Sequence, residues 1–228
     1  MKGGYLNMAN PRLIADAMVD VVCNRRSSAD LFFYNIGKTV EGFSTDVAYL
    51  VTDFFDTDNR YRNETEKLRM MNRIKKGVSR NTLEAIFNIV FKKFMASLNV
   101  DDLKKIAISV GGVATAKVFV NSLFINDLSA ALAMRVVSRL FVSLGVSSFV
   151  IVGGSMAKAV YKSEDLQKEH PWLYNELKSK GDLDLFYFIV EGYVEPFVTA
   201  IEVKRIDQIT WSKINQLFVD GVSRCSRR

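Results

Sequence analysis

Histidine occurs once, cysteine twice and proline three times in the 228 residues. A single histidine, His170, excludes a zinc site built from several Cys and His ligands, and excludes a Ser-His-Asp triad drawn from several histidines. It is read as an exposed turn residue in Glu169-His170-Pro171. Cys23 and Cys225 lack metal-ligand spacing. Two isolated thiols make no disulfide framework, so a reducing compartment is expected. So few prolines argue against a chain dominated by loops or linkers. The opening MKGGYLNMANPRLI has no apolar core after its lysine, so no secretory signal is expected and the predicted location is cytoplasmic. Lys117, Asp127, Arg135 and Arg139 interrupt the apolar stretch Ile106–Val160. A spanning helix asks for about 20 consecutive apolar residues. Helices buried in a soluble core are the favoured reading, and a membrane partner is disfavoured.

What is present points to a folded chain. Hydrophobic residues make up 49% and charged residues 25%, which excludes disorder of the whole and allows a sizeable core. The net charge of +6 suits a polyanionic partner, although Arg224, Arg227 and Arg228 supply three of those charges near one end. Asp56–Lys76 is the most charged stretch, a solvated helix face or a basic strip for a phosphate backbone.

Residues 10–140 carry helical periodicity. In Asn81–Leu98, Leu83, Ile86, Phe87, Val90, Phe91 and Phe94 form one stripe, with Thr82 early and Lys92 and Lys93 late. Leu128–Leu144 forms another helix. After Gly145 the pattern changes to a short β-branched run, Ser147–Val152, ending in Gly153-Gly154. Ser155–Lys162 and the charged Glu164–Lys180, interrupted by Pro171, are helical in pattern. Asp182–Val190 and Phe197–Ile206, joined at Glu191-Gly192, predict an antiparallel hairpin, and Trp211–Val222 a final helix. The expected fold is α+β, with a helical domain over 1–140 and a small α/β unit with a mixed or antiparallel sheet over 141–228. Trp172 and Trp211 are expected to anchor packing.

Three carboxylates fall on that unit. Asp182 and Asp184, two apart on a strand, would share one face, and Glu202 would lie on the partner strand. Three like charges in apolar sequence call for a cation, and Mg²⁺ or Mn²⁺ suits oxygen ligands. Gly153-Gly154-Ser155, at a strand-to-helix turn, would bring backbone and hydroxyl donors to a phosphate.

This order of strand, Gly-Gly-Ser, helix, Asp-Leu-Asp and strand Glu resembles the polymerase-beta-like nucleotidyltransferase superfamily over residues 135–206. The resemblance implies metal-dependent nucleotidyl transfer from a nucleoside triphosphate, with nucleic acid as the favoured acceptor. Gly153, Gly154 and Ser155 would hold the triphosphate, and Asp182, Asp184 and Glu202 the metal. The same residues followed by Lys204 also resemble the PD-(D/E)xK nucleases, in which Asp184 and Glu202 would bind the metal and Lys204 would position water. A third possibility has no catalytic site: Ile106–Val160 as a helical hairpin that inserts into membranes.

Overall fold

The structure, a computed structural model, describes residues 10–23, 68–69, 80–109, 125–144 and 152–225. Every longer element among them is helical: α1 (Pro11–Cys23), α2 (Arg80–Met95), α3 (Val100–Ser109), α4 (Ile125–Leu144), α5 (Val152–Glu169), α6 (Pro171–Ser179), a 3₁₀ turn (Leu183–Phe186), α7 (Tyr187–Ile206) and α8 (Gln208–Cys225). The expected α+β fold is therefore corrected, because the described residues contain no strand. The two runs assigned to a hairpin are the 3₁₀ turn and α7. Expected helices over Leu31–Phe55, the strand before Val152 and most of the basic stretch lie outside the described residues.

The hairpin failed for a physical reason. An unbroken apolar run has the same look in a strand and in a helix buried on most sides. Tyr187, Val190, Val194, Phe197, Val198 and Ile201 of α7 are all buried, at separations of three and four with one adjacent pair. Gly192 and Pro196 read as punctuation, yet both lie inside α7. Pro196 cannot donate to the carbonyl of Gly192, so α7 forgoes one rung of its ladder and depends on packing for its continuity.

Where the sequence carries caps, the structure uses them. Asp207 precedes α8; its Oδ1 accepts from the N–H groups of Ile209 and Thr210, each at 3.0 Å, and its Oδ2 accepts from the Thr210 hydroxyl at 2.6 Å. Asn99 does the same for α3, its Oδ1 accepting from the Asp102 N–H at 2.8 Å. Pro171 occupies the first turn of α6, where a missing N–H costs nothing. His170 caps that helix through its carbonyl, which accepts from Leu173 and Tyr174, while its own N–H closes α5 onto Leu166. It is buried, not the exposed turn residue expected.

The described residues fall into two compact units. One comprises 10–23, 90–109, 125–129 and 193–225. Its centre is aromatic: Phe94 lies edge-on to Phe197 (5.3 Å between centroids), Trp211 (5.9 Å) and Phe218 (5.3 Å), with Phe91 against Phe197 at 4.9 Å. Such edge-to-face pairs add about 0.5–1.5 kcal/mol each beyond their burial. Trp211 is thus a packing residue, as expected. In the same unit α1 packs on α8, and Val19 lies directly against Gly221, where any side chain would collide with the Val19 methyl groups. Cys23, at the end of α1, is disulfide-bonded, and the chain has one other cysteine, Cys225, the last residue of α8. Val19 to Gly221 and Cys23 to Cys225 advance together, so α1 and α8 run parallel. This corrects the expectation of two isolated thiols and removes the basis for a reducing compartment.

The other unit comprises 68–69, 80–89, 130–144 and 152–192. There α5, α6 and the 3₁₀ turn pack on one another, burying Leu166, Leu173, Leu177, Leu183, Leu185 and Phe186. No helix among the described residues is long and apolar enough to cross a membrane.

Candidate functional site

The Asp-Leu-Asp sequence sits where α6 stops. Lys180, Gly181 and Asp182 all donate their N–H groups back to carbonyls of the last turn of α6. Gly181 (φ +99°) and Asp182 (φ +59°) then take positive φ in succession. Glycine adopts this freely and aspartate tolerates it better than most residues. The reversal leads into the 3₁₀ turn, and it separates the two carboxylates by environment. Asp182 keeps 35% of its side chain exposed, whereas Asp184 keeps none.

A cation of the protein's own lies between them. Arg69 Nη1 donates to Asp182 Oδ1 at 3.1 Å, and Nη2 donates to Asp184 Oδ2 at 2.7 Å. The planar guanidinium thus spans two carboxylates with one nitrogen to each, a task its fork geometry suits and a lysine ammonium would not. Ser163 of α5 donates its hydroxyl to the same Asp184 Oδ2 at 2.6 Å. Asp184 Oδ1 is buried and has no hydrogen-bond partner among the described residues. Nearby on α5, Lys162 pairs with Glu191 of α7 at 2.9 Å.

Asp182 and Asp184 are therefore brought together, but by a helix C-terminus and a turn, not by a strand face. Glu202 lies in the other unit, on α7, where it pairs with Arg205 one turn along at 3.1 Å. Lys204 donates to the Ser97 carbonyl at 2.7 Å and lies 5.4 Å from the Trp211 ring centre, so its charge serves a loop carbonyl and an aromatic face. Gly153, Gly154 and Ser155 fall in the first turn of α5. Among the described residues no group of three or more His, Cys, Asp or Glu is placed to hold a metal ion. The donor set around Asp184 is an arginine and a hydroxyl, already satisfied by the carboxylate, and it does not fit a second cation at the same oxygen.

No protein-family model, no curated protein and no solved structure matches the chain. Function must be argued from its own residues.

Sequence reasoning missed Arg69 and Ser163. Arg69 stands 113 and 115 positions from its two partners, in a stretch whose many basic residues hide any single one. Ser163 lies between Lys162 and Glu164 in a charged stretch, and only in the folded chain is its hydroxyl buried. Such a hydroxyl requires a partner.

Proposed function

We propose that this chain acts by inserting helices into lipid membranes. The observation that carries the proposal concerns the stretch from Leu140 to Ala157, which contains no Asp, Glu, Lys or Arg. Both of its ends are helical, 140–144 closing α4 and 152–157 opening α5. What the sequence suggested as a strand and a phosphate-binding turn is flanked by, and in part made of, helix. Upstream, Ile106–Phe124 carries Lys117 as its one charge. Two such segments, each near the roughly 20 residues that span a hydrocarbon core, are separated by residues 125–139, which carry the exposed Asn126 and Asp127 and the charges of Arg135 and Arg139.

Described residues that adjoin these segments are packed in the folded state. Ile125, Ser129, Leu132, Ala133 and Val136 of α4 are buried, as are Ala159 and Val160 of α5. Because no described helix would cross a bilayer as it stands, insertion requires new helix boundaries, with α4 giving up its present ends. Helix is the one conformation a single segment can keep in lipid, since every backbone group must be satisfied internally. The net charge of +6 favours anionic lipid, where each basic residue near the surface contributes about 1 kcal/mol.

The test is release of a self-quenched dye from vesicles. Release from vesicles containing phosphatidylglycerol, weaker from pure phosphatidylcholine and falling with salt, is the expected result. No release from either composition overturns the proposal. So does a rise in unfolding midpoint that needs Mg²⁺ or Mn²⁺ and a nucleoside triphosphate together, or metal-dependent cleavage of DNA or RNA.

A further inference from the structure

We propose that the corner between α7 and α8 docks on anionic lipid surfaces, with Ile206 and Ile209 entering the apolar boundary beneath the headgroups. It rests on the membrane reading for its partner and adds the surface that makes first contact.

One residue, Asp207, separates the two helices. Its N–H closes α7 onto the Val203 carbonyl at 2.8 Å, and its own carbonyl accepts from the Trp211 N–H at 2.9 Å to open α8. The Gln208 side chain donates to the Lys204 carbonyl at 2.7 Å. Together with the Asp207 cap, these bonds give the corner a fixed form. On it Ile206 is 83% and Ile209 72% exposed, the two highest values among the large hydrophobic residues described. Fraying does not account for this, since the backbone on either side is bonded. A single exposed apolar residue is ordinary, but two on one capped corner make a shared tip. The sequence offers a way to hide one of them. Counting from the Asp207 cap, Ile206 and Trp211 hold the two positions that commonly pack across a helix start. Here Trp211 meets Phe94 and the Lys204 ammonium instead, and Ile206 stays in water.

The charges around the tip fit a surface that carries negative charge. Arg205 precedes Ile206 and is exposed, and the exposed Lys213 lies one turn beyond Ile209 on α8. The Lys204 bond to the Ser97 carbonyl brings the turn between α2 and α3 to the same end. That turn follows the exposed Lys92 and Lys93 in the last turn of α2 and leads to Val100, itself 43% exposed. The acidic groups there are engaged within the protein: Asp207 caps α8, Glu202 pairs with Arg205, and Asp101 pairs with Lys104. Two isoleucines flanked by cations match acyl chains beneath phosphate headgroups, because basic stems lie along the boundary while their charges stay outside. Salt screens the ionic part of this attraction and leaves the apolar part.

The experiment is co-sedimentation of the full chain with sucrose-loaded vesicles, run beside the dye-release assay. Wild type is expected to bind phosphatidylglycerol vesicles more tightly than phosphatidylcholine vesicles, and less tightly in high salt. Ile206→Ser with Ile209→Ser should weaken binding by about tenfold or more. Its urea midpoint should match wild type, because both side chains already lie in solvent. Arg205→Gln with Lys213→Gln should weaken binding to phosphatidylglycerol vesicles alone. In Ile209→Trp, brominated acyl chains should quench emission beyond any quenching of Trp172 and Trp211 in the wild type. Binding of the serine variant at wild-type strength, no added quenching in Ile209→Trp, or no wild-type binding to either composition overturns the docking corner. So does a wild-type dimer in sedimentation velocity that the serine variant loses, since a second copy would then cover the tip. Dye release with unweakened binding by the serine variant removes the corner and leaves insertion standing. Binding that depends on the corner without any dye release upholds the corner and removes insertion.

Discussion

Asp184 is a carboxylate with no exposed side-chain surface, and it is tolerable only because Arg69 and Ser163 donate to it. Removing one partner of a buried ion pair leaves the other charged, desolvated and unanswered, which costs about 3–5 kcal/mol. Arg69→Met is therefore expected to lower the urea midpoint steeply. Asp182→Asn, which loses the partly exposed arm of the same clamp, should cost no more than about 1 kcal/mol. Comparable losses from the two variants would show that the partly exposed arm contributes as much as the buried one. Asp207 behaves differently. The Thr210 hydroxyl first, and then the Thr210 N–H, hold its carboxyl below the ordinary value of 3.8. A group whose folded value is depressed contributes stability that is complete above the unfolded value and is lost as pH falls through the folded one. In a carbon-detected NMR titration Asp207 should titrate below the ordinary value of 3.8, and Thr210→Val should move it back towards that value.

The helices differ in how plainly they announce themselves. The stripe of α2 was legible because its apolar residues keep one side, and Phe87, Phe91 and Phe94 are indeed buried there. The Pro171 break between α5 and α6 was legible too, since proline has few places to go. Helix α7 was not. Its burial on most sides removes the polar face that marks a helix, and its Gly and Pro mimic a turn. The candidate site was half legible: the Asp pair stood out as a place needing a cation, but not which cation, because Arg69 reaches it only through the folded chain. At the level of single elements, the α1–α8 contact allows a further test. Gly221→Ala gains up to about 1 kcal/mol of helix propensity but drives a methyl into Val19, whose β-branched side chain has little freedom to turn away. Overpacking of this kind costs about 1–3 kcal/mol. The variant is expected to be less stable than wild type by thermal unfolding, and Val19→Ala in the same chain should recover part of the loss.

For the molecule as a whole, the disulfide closes a ring of about 200 residues, which in the chain-entropy account is worth up to roughly 5 kcal/mol. Reduction should lower the unfolding midpoint by about 5–15 °C, the range for a few kcal/mol in a chain of this size. A change below 1 °C would mean that the unfolded chain is not measurably restrained by the bond.

The parallel pairing of α1 with α8 also sets a schedule. Ribosomes add about 5–20 residues per second, so α8 is finished some 10–40 s after α1. Through that interval α1 lacks the helix that packs against Val19, and a free Cys23 thiol travels ahead of Cys225, the other cysteine of the chain. Helix α1 must wait for α8, and whatever shields that small apolar face in the meantime is as much a condition of folding as the contacts that finally cover it.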